Sequence, residues 1–148
     1  GDAPNCFSTS GELQANLLEI WSPKAGGDAM GELVSTVNAY PPGQNGACLK
    51  PGGPSSCIDG GGFQIVSSTP SYLYVQFESL KYGFIDDVEF AMDATGAVQV
   101  RSASRVGTLD FRVNAKRLNW ISERLRKRGW NAPAISQKTH PEYFRLNS

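Results

Sequence analysis

The sequence predicts an α+β fold: a helix, a four-stranded mainly antiparallel sheet and a second helix, stacked as a two-layer sandwich with an extended C-terminal tail. Three observations predict it. Apolar residues recur at helical spacing after Asp28. Four short runs between Phe63 and Val106 are rich in β-branched and aromatic residues. A second helical stripe ends in basic residues at Arg124–Arg128. With 148 residues, 40% of them hydrophobic and 19% charged, the chain has the size of one globular domain and can bury a core without disulfides. The expected division is a single α+β domain over 1–129, with a Pro/Gly-rich insertion at 41–62, followed by the tail at 130–148.

Residues 1–26 read as a loop with a weak apolar cluster at Leu13, Leu17, Leu18, Ile20 and Trp21. Asp28 is a suitable N-cap for a first helix carrying Met30, Leu33, Val34 and Val37, which Pro41 and Pro42 end. The strands follow as Phe63–Thr69, Tyr72–Ser79, Phe84–Met92 and Val98–Val106. In the second, alternation turns Leu73, Val75 and Phe77 inward and Tyr72, Tyr74, Gln76 and Glu78 outward. Asp93-Ala94-Thr95-Gly96 fits a three-residue hairpin loop with Gly96 left-handed.

That turn fixes the register. Asp93 pairs with Ala97, so Met92 faces Val98, Phe90 faces Val100, Val88 faces Ser102 and Asp86 faces Ser104. On the other surface Glu89 faces Arg101 and Ile85 faces Arg105, with Asp87 diagonal to both arginines. An opposed pair such as Glu89 and Arg101 contributes about 0.2–1 kcal/mol, so its yield is register more than stability. A final helix is expected over Asp110–Arg128, with Asn114, Leu118, Ile121 and Leu125 along its inner stripe, basic residues at its negative end and Gly129 as its stop.

Formal charge is zero, which argues against a dedicated nucleic-acid binder. The zero conceals an asymmetry. Residues 1–100 hold three lysines against eleven acids; residues 101–148 hold eleven Lys or Arg against three acids, giving −8 and +8. Mutual attraction of the halves within one fold is the simpler reading, and a basic face for an acidic partner is the other. No apolar run approaches bilayer length, so no transmembrane segment is expected. The chain starts at Gly1, as a processed or trimmed chain would; in the processed case a targeting peptide has been removed.

Cys6, Cys48 and Cys57 contain no CxxC, and no histidine cluster joins them, so neither a metal nor another cofactor is expected. Cys48 and Cys57 bracket a Gly/Pro-rich loop. Either they form a disulfide in an oxidising compartment or all three thiols stay reduced; the loop's chain entropy favours the disulfide.

The segment from Gly83 to Arg117 carries a long motif. Gly83, Phe84, Asp86, Asp87, Val88, Glu89 and Phe90 are followed by Val100-Arg101-Ser102-Ala103-Ser104-Arg105-Val106-Gly107, then Asp110, Val113, Asn114 and Arg117. It resembles the domain-of-unknown-function 1499 family, as do Pro4–Cys6 and the strand before the motif. Thr108, Leu109, Arg112 and Ala115 depart from the family pattern. The family has no agreed activity. Its members resemble bacterial-envelope proteins and plastid proteins of photosynthetic eukaryotes. The resemblance implies a chloroplast thylakoid setting, the lumen rather than the stroma, with a bacterial periplasm or envelope as the alternative.

No nucleophile elbow, P-loop, zinc-protease helix or dinucleotide fingerprint is present, and His140 is the only histidine. Asp86 stands out because alternation places its carboxylate on the apolar face with Phe84, Val88 and Phe90. With Asp87, Glu89, Arg101, Arg105, Asp110 and Asn114 it forms a charged cluster. One reading is a structural network; the other is a small-molecule or catalytic pocket around Asp86, Arg101, Arg105 and Asp110. Tyr72 and Tyr74 on the outer sheet face, with Trp130, Tyr143 and Phe144 in the tail, are candidate partner contacts. Alternatively the N-terminal segment with Trp21 covers the tyrosines, and the tail docks on its own domain. The expectation is a non-enzymatic accessory subunit, peripheral to the membrane. It would dock on a larger membrane-embedded photosynthetic complex.

Overall fold

The computed structural model describes residues 3–41, 61–79 and 82–148. Its elements are β1 (Phe7–Ser8), α1 (Ala29–Asn38), β2 (Phe63–Thr69), β3 (Tyr72–Glu78), β4 (Ile85–Met92), β5 (Val98–Ser104), α2 (Val113–Lys127) and α3 (Pro141–Leu146). The sheet is antiparallel in the order β1-β5-β4-β3-β2. The α+β class holds, but the sheet has five strands where the sequence suggests four. The fifth, β1, spans two residues and has no alternation to reveal it. Its Phe7 is fully buried, and its backbone pairs with Ser102 and Arg101 of β5.

The β4–β5 register is the one the turn residues specify. Met92 stands opposite Val98, Phe90 opposite Val100, Val88 opposite Ser102, Glu89 opposite Arg101 and Asp86 opposite Ser104. Gly96 sits at φ 84, and the Asp93 N–H donates to the Ala97 carbonyl at 2.8 Å. Leu73, Val75, Phe77, Val88, Phe90, Val98 and Val100 form the inner sheet face. Phe84 does not extend that face: β4 begins one residue later, and Phe84 is exposed and stacked on Tyr82.

α1 and α2 pack side by side on the inner face. Asp28 caps α1 by accepting from the Gly31 N–H at 3.0 Å. Tyr40 stands edge-on to Phe63, Phe77 and Trp120, joining the end of α1 to the sheet and to α2. α2 buries Asn114, Leu118, Ile121 and Leu125 as its stripe predicts. It starts three residues later than Asp110, because Phe111 and Arg112 intervene at φ 52 and 67, in the left-handed region. Its C-terminus is a Schellman motif. Gly129 at φ 91 donates to the Arg126 carbonyl, and the Trp130 N–H donates to that of Leu125.

That motif turns the chain back, which corrects the expectation of an extended tail. Trp130, Ala132, Ile135 and Tyr143 are buried in the same core. The Trp130 indole donates to the Glu32 carboxylate at 2.7 Å. Asn119 on α2 brackets Ile135, bonding both its N–H and its carbonyl at 2.7 Å. α3 then lays Tyr143 against Phe7. The apolar content of the segment pays the ordering cost that an exposed tail would not recover. The opposite charges of the chain's two parts also meet inside the fold: Asp86, Asp87 and Glu89 pair with Arg117, Arg105 and Arg101. Because Trp130 fills core volume and satisfies Glu32, Trp130→Ala should cost about 3–5 kcal/mol in denaturant unfolding. An unchanged midpoint would contradict this placement.

Candidate functional site

The expected charged cluster is divided by the sheet into two networks. The inner one is built around Arg117, whose side chain is fully buried. On α2 it lies one turn beyond Asn114, so both reach the start of β4 and the end of β5, where Asp86, Ser102 and Ser104 face inward. Arg117 Nη2 donates to Asp86 Oδ2 at 2.7 Å, and Nη1 donates to Asn114 Oδ1 at 2.8 Å. The guanidinium carbon stands 4.5 Å from the centre of the Phe77 ring.

Asn114 uses the whole capacity of its amide. Oδ1 accepts from Arg117 and from the Ser102 hydroxyl; Nδ2 donates to Ser104 Oγ at 3.0 Å and to the Asn5 carbonyl at 3.1 Å. Its backbone N–H goes to Asp110 Oδ2 at 3.0 Å. Asp110, buried, also accepts from the Arg112 N–H and, with both oxygens, from the Tyr143 hydroxyl. It therefore does the work of an N-cap across the left-handed turn at Phe111 and Arg112. Burial, reinforced by the Asp110 charge and hydrogen bond, pushes the Tyr143 hydroxyl well above its ordinary pKa, keeping it a donor. Asn147 closes the far side, accepting from the Asp110 N–H at 2.9 Å and donating to the Pro4 carbonyl. Among the described buried side-chain atoms, only Asn5 Oδ1 and Arg112 Nε have no partner.

The outer network lies on the opposite sheet face. Tyr72 donates to Glu89, which accepts from Arg101 at 3.1 Å. Gln76 donates to the Tyr74 hydroxyl, Tyr74 donates to Asp87, and Arg105 grips Asp87 with Nε and Nη2 at 2.7 and 2.9 Å. Burial and the Glu89 hydrogen bond push the Tyr72 hydroxyl up to about 12. For Asp87, burial pulls upward, but the Arg105 and Tyr74 hydrogen bonds and the two arginine charges outweigh it, leaving the carboxyl below its ordinary value. Trp21 does not cover these tyrosines; it is buried on the other face against Phe90.

Thus Asp86, Asp110 and Asn114 lie inside, while Asp87, Glu89, Arg101 and Arg105 lie outside. Asp86 and Asp110 do not share a pocket with Arg101 and Arg105, because the sheet stands between them. Of the expected partner contacts, Tyr72 and Tyr74 are half-buried on the outer face, whereas Trp130 and Tyr143 belong to the core. Phe144 is half-buried between Tyr143 and Arg112. Cys48 and Cys57, with most of the Pro41–Gly62 segment, lie outside the described residues. Cys6 is buried, its thiol 3.8 Å from the Phe7 carbonyl. Among the described residues, no group of three His, Cys, Asp or Glu could hold a metal.

Sequence reasoning named Arg117 only as a motif position and Tyr143 only as a partner contact, and placed neither in the inner network. Arg117 had a signal: it interrupts an inward stripe at 114, 118, 121 and 125, where an arginine requires a buried acid. Tyr143 had none, since nothing local connects it to Asp110.

The sequence profile of a family described as protein of unknown function, DUF1499, matches residues 1–125. The chain belongs to this family. Neither a curated protein nor a solved structure matches it. The DUF1499 match contains Asp86, Ser102, Ser104, Asp110, Asn114 and Arg117, so the family segment holds the centre of the inner network. Tyr143 and Asn147, which hold Asp110 from α3 and its C-terminal end in this DUF1499 chain, lie beyond the match.

The Asp87 shift sets a pH dependence. A carboxyl with a depressed folded-state pKa adds stability above its unfolded value, 3.8, and loses it as pH falls through the folded one. Unfolding free energies of the parent and of Asp87→Asn should therefore differ near neutral pH and converge below pH 3.8. A gap that persists undiminished in acid would contradict the assignment.

Proposed function

We propose that this DUF1499 chain is a non-enzymatic accessory domain, peripheral to the membrane, that docks on a larger membrane-embedded assembly. The observation that carries this reading is the state of the inner network. The carboxylates and the arginine of this network are consumed in binding one another, Asn114, Tyr143 and the backbone, joining β4, β5, α2, α3 and the N-terminal segment. Groups held by several partners in a packed interior stabilise a scaffold, and proton transfer or ligand capture would require releasing them. A pocket around Asp86, Arg101, Arg105 and Asp110 would need the two inner carboxylates to meet the two outer arginines across the sheet.

The outer sheet face supplies a docking surface. The described helices pack on the other side, and Tyr72, Tyr74 and Gln76 form a stripe bounded by Arg101 and Arg105. Tyrosine and arginine are favoured at protein interfaces because each combines apolar area with a polar tip. Hydrogen bonds already orient both tyrosines, so less side-chain entropy is lost on contact. No described helix is long and apolar enough to cross a membrane, which suits a peripheral subunit. The photosynthetic setting, a thylakoid complex reached from the lumen, rests on the family resemblance of the Gly83–Arg117 segment.

The test is native separation of gently solubilised thylakoids. The chain should migrate with a large complex and cross-link to it through probes at Tyr74 or Gln76. Migration alone, at its own mass of 16.0 kDa, would sink the proposal.

A further inference from the structure

One end of the sheet carries a surface that neither network uses. The β3–β4 and β5–α2 connections leave the sheet together, because β4 starts at Ile85, whose carbonyl accepts from the Arg105 N–H at 3.1 Å. Five large apolar side chains stand out from these two connections: Tyr82, Phe84, Val106, Leu109 and Phe111, each between 45 and 69% exposed. Tyr82 and Phe84 stack at 5.2 Å.

The same anchoring that buries Asp110 turns its neighbours outward. Asp110 is drawn in by Tyr143, Arg112, Asn114 and Asn147, while Leu109 and Phe111 on either side are left in solvent. Phe111 is also held at φ 52, which is costly for any residue with a Cβ. An aromatic ring 69% exposed returns nothing to the core for that strain.

The accompanying charge is basic. Within the described residues of the two connections the only acid is Asp110, which is buried; of the cations, Arg105 is paired with Asp87, Arg112 is half-buried and donates to the Phe144 carbonyl and the Ser148 hydroxyl, and Lys116, one turn into α2, is exposed. Glu78, exposed at the end of β3, is separated from Arg105 by the width of β4. A projecting set of aromatic and aliphatic side chains flanked by arginine and lysine matches the interface of an anionic bilayer. There, rings enter the headgroup region and cations meet lipid phosphates.

We infer that this loop end rests directly on the surface of an anionic lipid bilayer, with Phe111, Leu109, Phe84 and Tyr82 entering the headgroup layer. This contact is separate from the docking face of Tyr72 and Tyr74, and either can fail without the other.

The test is co-sedimentation of the full chain with vesicles of phosphatidylcholine, with and without phosphatidylglycerol. The chain should sediment with the anionic vesicles, and added salt should weaken the association. Phe111→Gly removes the ring and relieves the positive φ, so its melting temperature should equal or exceed the parent's, while its partitioning falls about tenfold or more. Phe84→Ser should also weaken partitioning, and Val66→Ser, exposed on β2 away from this end, should not. A chain that stays in the supernatant with anionic vesicles would overturn the inference. So would a Phe111→Gly variant that sediments like the parent. Loss of co-migration with a large complex in Phe111→Gly, without vesicle binding by the parent, would assign these loops to a protein partner instead.

Discussion

The structure depends on the burial of one arginine. Arg117 lies wholly inside the domain, and an unpaired guanidinium there would cost several kcal/mol of lost hydration. Asp86, Asn114 and the face of Phe77 together make the position tolerable. Each demands a particular geometry. Asp86 must face the helices, which requires the β4–β5 register. Asn114 must lie one turn before Arg117, which fixes the rotation of α2. Phe77 must lie flat beneath the guanidinium, which fixes β3.

The constraint spreads through Asn114, whose four side-chain hydrogen-bond positions are taken by α2, two residues of β5 and the N-terminal segment. Its backbone N–H passes the constraint to Asp110, a buried carboxylate. Tyr143 and Asn147 hold Asp110 from the other side and so bind α3 to the start of α2. The left-handed pair Phe111 and Arg112 follows from this arrangement: the chain must turn sharply between an inward Asp110 and the first residue of α2. A polar network this connected specifies one relative placement of its elements, because a slipped register would strand a charge.

Much of this was legible in the sequence where local chemistry decides structure. Asp28, the Asp93–Gly96 turn and Gly129 each act through their own backbone, and α1, the hairpin register and the end of α2 follow from them. Alternation told which side Asp86 faces, and so anticipated a carboxylate on the core side of the sheet, where it is mostly rather than fully buried. What the sequence did not reveal depends on distant partners. β1 exists because Phe7 fills a place beside Tyr143, a residue 136 positions away. The segment after Gly129 reads as a tail until Glu32 and Asn119 are seen to hold it. Arg117 lies between these cases: its place on an apolar stripe was visible, but its pairing with Asp86 needed the sheet and the helix together.

The central claim is that Arg117 and Asp86 are energetically one unit. A double-mutant cycle tests it most directly, with Arg117→Met, Asp86→Leu and the combined variant compared by equilibrium unfolding. Each single change should cost about 3–5 kcal/mol, because it takes the opposite charge away from a partner held mostly out of water, and the double variant should lose far less than the sum. Single losses that add to within about 0.5 kcal/mol would show the two residues to be independent and would contradict the account.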